Sequence, residues 1–481
     1  MTAGLEPGGS PPIVRAYLKS LDPRLPRDVY VLQVGGLLNA FGNGVVLPFL
    51  IIYLHNVRGI SLGLAGLAAA TQSATALASG FFGGTLSDRV GPKRVLIVAL
   101  FVMTVAFALM PLIRTPWHAF AVYVIWGAGS GSFWPSQSAL LAGLTPPQRR
   151  SPAYALQRLT MNLGAAIGGV AAGLVASVAH PSSFTVLFLV NCATYVAYMV
   201  VLLRVRSPEL HPERSHGSWL AVMRDRTFLA YSALNAAFMT AAISLMIELL
   251  PAFGKNVTHV SEQEVGIIFA LDAIGIVLFQ LPVAKLVQGR RRMRGLAAMG
   301  VVWAAALLIV WAAGAWTTAT AAAAALAGAM LVFSIGECLH GAIHAPLGVD
   351  LAPPQLVGRY LALSSLSWQV GWIIGPAAGG FMLGHAPLAL WPAAAGVNLA
   401  CAACASMKPP AAARARADHP CGGVSSRFPG VDCEYARVGD QRPPQYRCRA
   451  CPASVRAASG SPRAPTSPRR ARGSLSSSTT A

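Results

Sequence analysis

Three ionisable side chains recur at helical spacing inside one long apolar stretch: Glu337, His340 and His344. Steps of three and four residues place them along a single stripe of a helix. A carboxyl and two imidazoles in a row can exchange protons or ligate a metal ion. The second chemistry needs more ligands than these three, and no second cluster in the chain completes a coordination sphere. The other apolar stretches hold few further ionisable groups, namely Arg158, Glu248 and Asp272. Burying a charge in hydrocarbon is costly, so each marks either a site that handles protons and solutes or a hydrogen-bonded packing contact. Arg158 lies about a turn inside its stretch, where a long side chain can snorkel to the interface. Neutral groups widen the candidate set: Asn39, Asn43, Gln137, Asn162, Gln280 and Gln369, with Trp134 and Trp368. They either line one water-filled cavity or hydrogen-bond between helices.

The elements that position these groups follow from composition. Hydrophobic residues make up 54% of the 481 and charged residues 11%, against about 25% charged in ordinary globular domains. A bilayer crossing takes about 20 predominantly apolar residues. Twelve stretches qualify, near 30–54, 62–82, 94–113, 119–143, 154–177, 184–203, 228–250, 264–286, 296–314, 319–348, 361–384 and 387–407. The class is therefore all-α and integral to the membrane. The net charge of +20 does not point to nucleic acid. Its basic residues sit in short loops and a C-terminal tail, without the interleaved aromatics that stack bases. Residues 1–28 are Pro-rich and polar, so the first span is expected to serve as its own insertion signal.

Basic residues disfavour translocation, which sets an orientation. With the N-terminus in the cytoplasm, the inner loops receive Arg89, Lys93 and Arg94, then Arg149 and Arg150, Arg204 and Arg206, Arg290 to Arg292, and Arg359. The outer loops receive Arg58, Arg114 and Lys255. Both termini are then cytoplasmic. In that frame Glu337 falls near the bilayer midplane, with Glu248 and Asp272 expected nearer the outer face. The chain also repeats. A shift of 207 residues lays Pro146-Pro147-Gln148 on Pro353-Pro354-Gln355, and Gly164, Gly168 and Gly173 on Gly371, Gly375 and Gly380. Two halves in the same orientation match parallel repeats about a membrane-normal axis. The expected organisation is a cytoplasmic segment 1–28, a six-helix bundle 29–203, a linker 204–226, a second bundle 227–407 and a tail 408–481.

The loop between the second and third spans reads Gly84-Thr85-Leu86-Ser87-Asp88-Arg89-Val90-Gly91-Pro92-Lys93-Arg94. Gly91 suits a positive φ in a tight turn, and Asp88 is an anion suited to a helix N-terminus. This spacing resembles the signature loop of the major facilitator superfamily. The resemblance implies two six-helix pseudo-symmetric bundles, with Gly84, Asp88, Arg89, Gly91, Lys93 and Arg94 forming a latch on the cytoplasmic side. In the second half Leu286 stands where Asp88 would fall, a degenerate copy.

Gly371-Trp372-Ile373-Ile374-Gly375-Pro376-Ala377-Ala378-Gly379-Gly380 looks like the Gly-Pro-Gly-Gly motif of the twelve-helix drug:proton antiporters, where that motif sits on helix 5. Here helix 5 has Gly169 in place of the proline, and Tyr123 stands about where many antiporters carry a buried Arg. Small residues at this spacing also let helices pack closely. The resemblance implies a secondary transporter working by alternating access: proton-coupled efflux of amphipathic, drug-like compounds, with import of a sugar, amino acid or other metabolite as the alternative. A polytopic enzyme or receptor is the distant reading, since no nucleophile elbow, zinc-protease or phosphate-cradling pattern occurs. No cofactor is expected. The expected partners are a small-molecule substrate, protons and lipid, in the cell membrane, with the chain acting as a monomer. The tail is rich in Pro, Arg, Ser and Gly and reads as disordered. Its Cys421, Cys433, Cys448 and Cys451 lack paired zinc spacing. A lipid-contacting tail and an out-of-frame reading of a GC-rich gene both stay open for it.

Overall fold

The computed structural model describes residues 25–146, 149–206, 219–288, 290–316, 318–353 and 356–407, with the short pieces 432–434 and 447–449. Pro147, Gln148, Gly289, Pro354, Gln355, Cys421 and Cys451 lie outside the described residues, and Gly84 and Asp88 are described by their backbone alone. Residues 1–409 form one compact unit and 410–481 another. In the second, Asp432–Glu434 pairs antiparallel with Arg447–Arg449, Cys433 opposite Cys448.

The first unit holds twelve long helices among its described residues. They are α1 (Arg27–Val57), α2 (Leu62–Val90), α3 (Pro92–Leu112), α4 (Pro116–Leu144), α5 (Arg150–Val175) and α6 (Ser182–Leu203) in the first half. The second half has α7 (Arg226–Asn256), α8 (Glu262–Val287), α9 (Arg292–Trp316), α10 (Ala319–Leu351), α11 (Val357–His385) and α12 (Pro387–Ser406). Nine are long and apolar enough to cross a membrane: α1, α3, α5 to α10 and α12. The linker is not wholly irregular, for Trp219–Arg224 forms a short helix before α7.

Local sequence explains the breaks. Ser61 caps α2 by accepting from the Leu64 amide, and Gly91 ends it at φ 96° before Pro92 opens α3. Ser261 and Glu264 form a reciprocal capping box on α8, and the Asp225 carboxylate accepts from two amides at the start of α7. α1 and α7, the matching first helices of the halves, both lose regular α geometry past their middles. In α1, Pro48 lies in a 3₁₀ turn and Tyr53–Val57 is a π turn. In α7, Met239–Ile243 and Leu245–Leu249 are π turns.

Within the first half α1 packs on α5 and α2 on α4; within the second α9 packs on α12 and α8 on α10. Between halves the pairs are α2 with α11 and α5 with α8, which exchange under the internal repeat. Their contacts gather at the end bearing residues 58–61, 176–181 and 257–261. There a Cβ on Gly380 would lie 2.7 Å from the Leu62 carbonyl, and one on Gly173 3.0 Å from the Glu262 carbonyl. Asn56 Nδ2 donates to Asn256 Oδ1 at 2.7 Å, and the Val178 amide to Glu262 Oε1 at 3.1 Å. Lys255 pairs with the same Glu262 oxygen at 2.9 Å. At the opposite end, three polar ties join elements of the same half. Lys93 Nζ donates to Val205 O at 2.6 Å, Arg292 pairs with Asp350 at 2.7 Å, and Tyr360 donates to Asp225 at 2.9 Å. The halves are thus clasped at the end bearing residues 58–61, 176–181 and 257–261.

Candidate functional site

A cavity of about 270 Å³ lies between the halves, lined by Arg158 of α5, Ile243 of α7, Glu337, His340, Gly341 and His344 of α10, and Trp368 of α11. The helical stripe of α10 therefore faces one space, as its spacing predicts. Asp272 of α8 is not where the sequence placed it. It sits at the depth of Glu337, and the two carboxyl groups are in hydrogen-bond contact. α10 has 33 residues against 26 in α8, so counting inward from the helix ends misjudges which residues meet. Asp272 Oδ1 and Glu337 Oε2 are buried with no hydrogen-bond partner among the described residues. Two like charges at this separation cannot both persist, so a carboxyl–carboxyl contact holds at least one proton.

The histidines have partners of their own, on α7 and α11. His340 Nε2 lies 3.0 Å from Asn235 Oδ1, and Asn235 Nδ2 donates to Ser367 Oγ at 2.7 Å. His344 Nδ1 is hydrogen-bonded to the Tyr231 hydroxyl, and its Nε2 lies 2.8 Å from Ser364 Oγ. The two imidazoles stack with centroids 4.6 Å apart. Trp368 meets His340 edge-on at 5.5 Å. Arg158 reaches in from the other half. Its guanidinium acts electrostatically on Glu337 and lies against Gly341, where a Cβ would sit 2.8 Å from Nη1.

The remaining candidates spread out. Glu248 stands on the second π turn of α7, within electrostatic range of Tyr123 on α4. Tyr123 is buried, and its hydroxyl has no hydrogen-bond partner among the described residues. Asn39 is buried in α1, away from the cavity lining. Asn43 accepts from the Tyr195 hydroxyl at 2.8 Å, and Gln137 donates to that of Tyr198 at 3.1 Å. Both thus join helices within the first half. The glycine series occupies like places in the two halves. Gly164 and Gly168 press on Leu37, Phe41 and Val45 of α1, while Gly371, Gly375 and Gly379 press on Met239, Ser244 and Leu249 of α7. Pro376 and Gly380 meet Gly66 of α2. In the loop, Arg89 and Arg94 are exposed, and Lys93 holds the end of α6.

Residues 32–376 and 249–420 match the sequence profile of the Major Facilitator Superfamily. The chain belongs to the major facilitator superfamily. The multidrug resistance protein MdtH of Edwardsiella ictaluri is 26% identical over 355 residues, covering 73% of this chain and 86% of that protein. The uncharacterized MFS-type transporter YqjV of Bacillus subtilis is 24% identical over 364 residues, 74% of this chain and 86% of that one. Among solved structures, the nucleoside transporter NupG superposes with a TM-score of 0.63 at 14% identity, covering 80% of this chain and all of that one. A D-xylose-proton symporter gives 0.64 at 15% identity, covering 79% and 97%. The chain is thus a multi-pass membrane transporter with the major facilitator fold.

Within that superfamily fold, the sequence alone passed over Tyr231, Asn235, Ser364 and Ser367, which orient the α10 histidines. A signal was present. Tyr231 and Asn235 are four residues apart in the seventh span, the spacing that picked out α10.

Proposed function

We propose that this transporter exports small amphipathic molecules in exchange for protons, with the Asp272–Glu337 pair as the coupling site. The observation that carries the reading is the contact between two carboxyl groups, one each on α8 and α10, beside a cavity between the halves. Such a pair accepts or releases a proton at little structural cost, because Asp272 Oδ1 and Glu337 Oε2 have no hydrogen-bond partner among the described residues. The groups facing it are Arg158 from α5 and Cys338 from α10, with His340 beside Glu337 in the cavity lining.

In this reading both termini lie in the cytoplasm of a cell whose plasma membrane the monomer spans, and the clasped end faces outside. A substrate enters from the cytoplasm and takes the place of a proton at the pair. The halves then rock, the Asn56–Asn256 and Val178–Glu262 ties open, and a proton from outside displaces the substrate. The loop through Asp88 secures the inner end in the alternate state.

The test is transport in proteoliposomes with an imposed pH gradient. Wild type should accumulate an amphipathic dye against its gradient. Asp272→Asn and Glu337→Gln should each abolish that accumulation while still exchanging labelled for unlabelled dye at equilibrium, since rocking needs no proton release. A variant that still concentrates dye eliminates the pair as the coupling site. Dye movement in the same direction as the proton would make the protein a symporter instead.

A further inference from the structure

The proton-exchange reading leaves Arg158 unexplained. A cation competing with a proton would be repelled by a guanidinium on the opposite wall. Yet Arg158 reaches into the cavity from the other half, and no side chain among the described residues hydrogen-bonds or ion-pairs with it. A guanidinium offers five N–H donors. Leaving them without an acceptor in a partly dehydrated space is costly. The fold also makes room for this group. Any side chain at Gly341 would meet it, since a Cβ there lies 2.8 Å from Nη1 and 3.4 Å from Cζ. The guanidinium therefore rests on the α10 backbone one turn beyond Glu337.

The charges on the cavity wall can be added. The carboxyl pair with a single proton carries −1 and Arg158 carries +1, so the space is neutral overall but strongly polar. Gly341, on which the guanidinium rests, lies one helical turn from Glu337, about 6 Å along α10. Trp368 and His340 add aromatic surface between the halves. Ile243 is the contribution of α7.

Resting on the exchange reading, we infer that the substrate is an aromatic zwitterion, with its ammonium against Glu337 and Asp272, its acid group on Arg158 and its planar body beside Trp368. Such a molecule resolves the conflict. Its ammonium and the incoming proton compete for the same carboxyl oxygens, which gives exchange, while its acid group satisfies the guanidinium. When the pair takes its second proton the ammonium is released. No covalent bond other than the O–H bond changes in this step. A simple cation would meet uncompensated repulsion from Arg158, and a simple anion would not compete with the proton.

The experiment uses three matched compounds: an aromatic amine bearing a carboxylic acid, its methyl ester and its N-acetyl derivative. Binding to the purified full chain is followed by tryptophan fluorescence, and export by proteoliposomes with a pH gradient. Wild type should bind and export the zwitterion about tenfold better than the ester or the N-acetyl acid, the scale of one charge-assisted contact. Arg158→Gln should bring zwitterion binding down to the level of the ester, and Arg158→Lys should recover part of it. Equal handling of zwitterion and ester by wild type overturns the inference, as does an Arg158→Gln variant that weakens both alike. Export of the ester with refusal of the zwitterion defeats the substrate assignment and leaves proton exchange standing. Arg158-dependent binding of the zwitterion with no gradient-driven export upholds the binding site and defeats the exchange reading.

Discussion

The two halves share a fold and a packing scheme but bury different chemistry. Among the described residues, the first half buries amides and hydroxyls: Gln33, Asn39, Ser136, Gln137, Gln157, Asn191 and Thr194. The second buries His340 and His344 and holds the carboxyl pair. Amides keep the same charge across the physiological pH range, so the polar interior of the first half behaves alike on both sides of a membrane. The second half can change its charge. The proposed exchange would use this division, with one body as a constant frame and the other as a proton-sensing wall. Among the described residues, Arg158 is the group the first half contributes to that wall.

Glycine substitutions should separate frame from wall most sharply. A Cβ at Gly168 would meet the α1 backbone, lying 2.9 Å from the Val45 amide nitrogen, and backbone cannot step aside. Gly168→Leu should cost on the order of 3 kcal/mol or more and leave little folded protein by size-exclusion chromatography. Gly341→Ala meets only the end of the Arg158 side chain, which can swing away. That variant should fold normally and lose zwitterion binding. If Gly168→Leu purifies in wild-type yield, the close approach of α1 and α5 is wrong.

The signature loop gives a second contrast. The first half carries Asp88 where the second has Leu286. If the acidic copy alone fastens the inner end, Asp88→Asn should lower transport about tenfold, or roughly 1.4 kcal/mol in the barrier, with membrane insertion unchanged. Leu286→Asn should leave the rate within about twofold. Wild-type transport by Asp88→Asn would reduce the loop to an ordinary charged turn.

How far the sequence revealed this arrangement depended on whether the signal lay inside one helix. The Glu337, His340 and His344 stripe was legible because a helix fixes which of its own residues share a face. The Gly91 turn was legible because a glycine before a proline and a basic run has few conformations open to it, and its φ is 96°. The glycine series announced close contact, though not its partner. The meeting of Asp272 with Glu337 was hidden, because it depends on how far α10 slides along α8. The partners of the histidines came from α7 and α11, which spacing along α10 cannot specify. Glu248 and Asn39 matched the central candidates as buried polar groups, yet they sit elsewhere, since hydropathy records depth poorly and rotation about the helix axis not at all.

The smallest effect gives the finest test of the contrast between halves, because the same atom is removed from each. Tyr195 donates to Asn43 in the first half, and Tyr231 is bonded to His344 in the second. Replacing either with Phe deletes one buried hydroxyl and should cost about 1 kcal/mol of stability. Their effects on function should differ. Asn43 does not titrate, so Tyr195→Phe should leave the pH profile of transport where it was. His344 stacks on His340 and lines the cavity, so freeing its Nδ1 changes the field at the carboxyl pair. Tyr231→Phe should therefore shift the pH profile while keeping the maximal rate within about threefold, a barrier change below 1 kcal/mol. If both variants shift the profile equally, the first half is not the pH-insensitive frame assigned to it. If neither does, the histidines are structural and proton exchange rests on Asp272 and Glu337 alone.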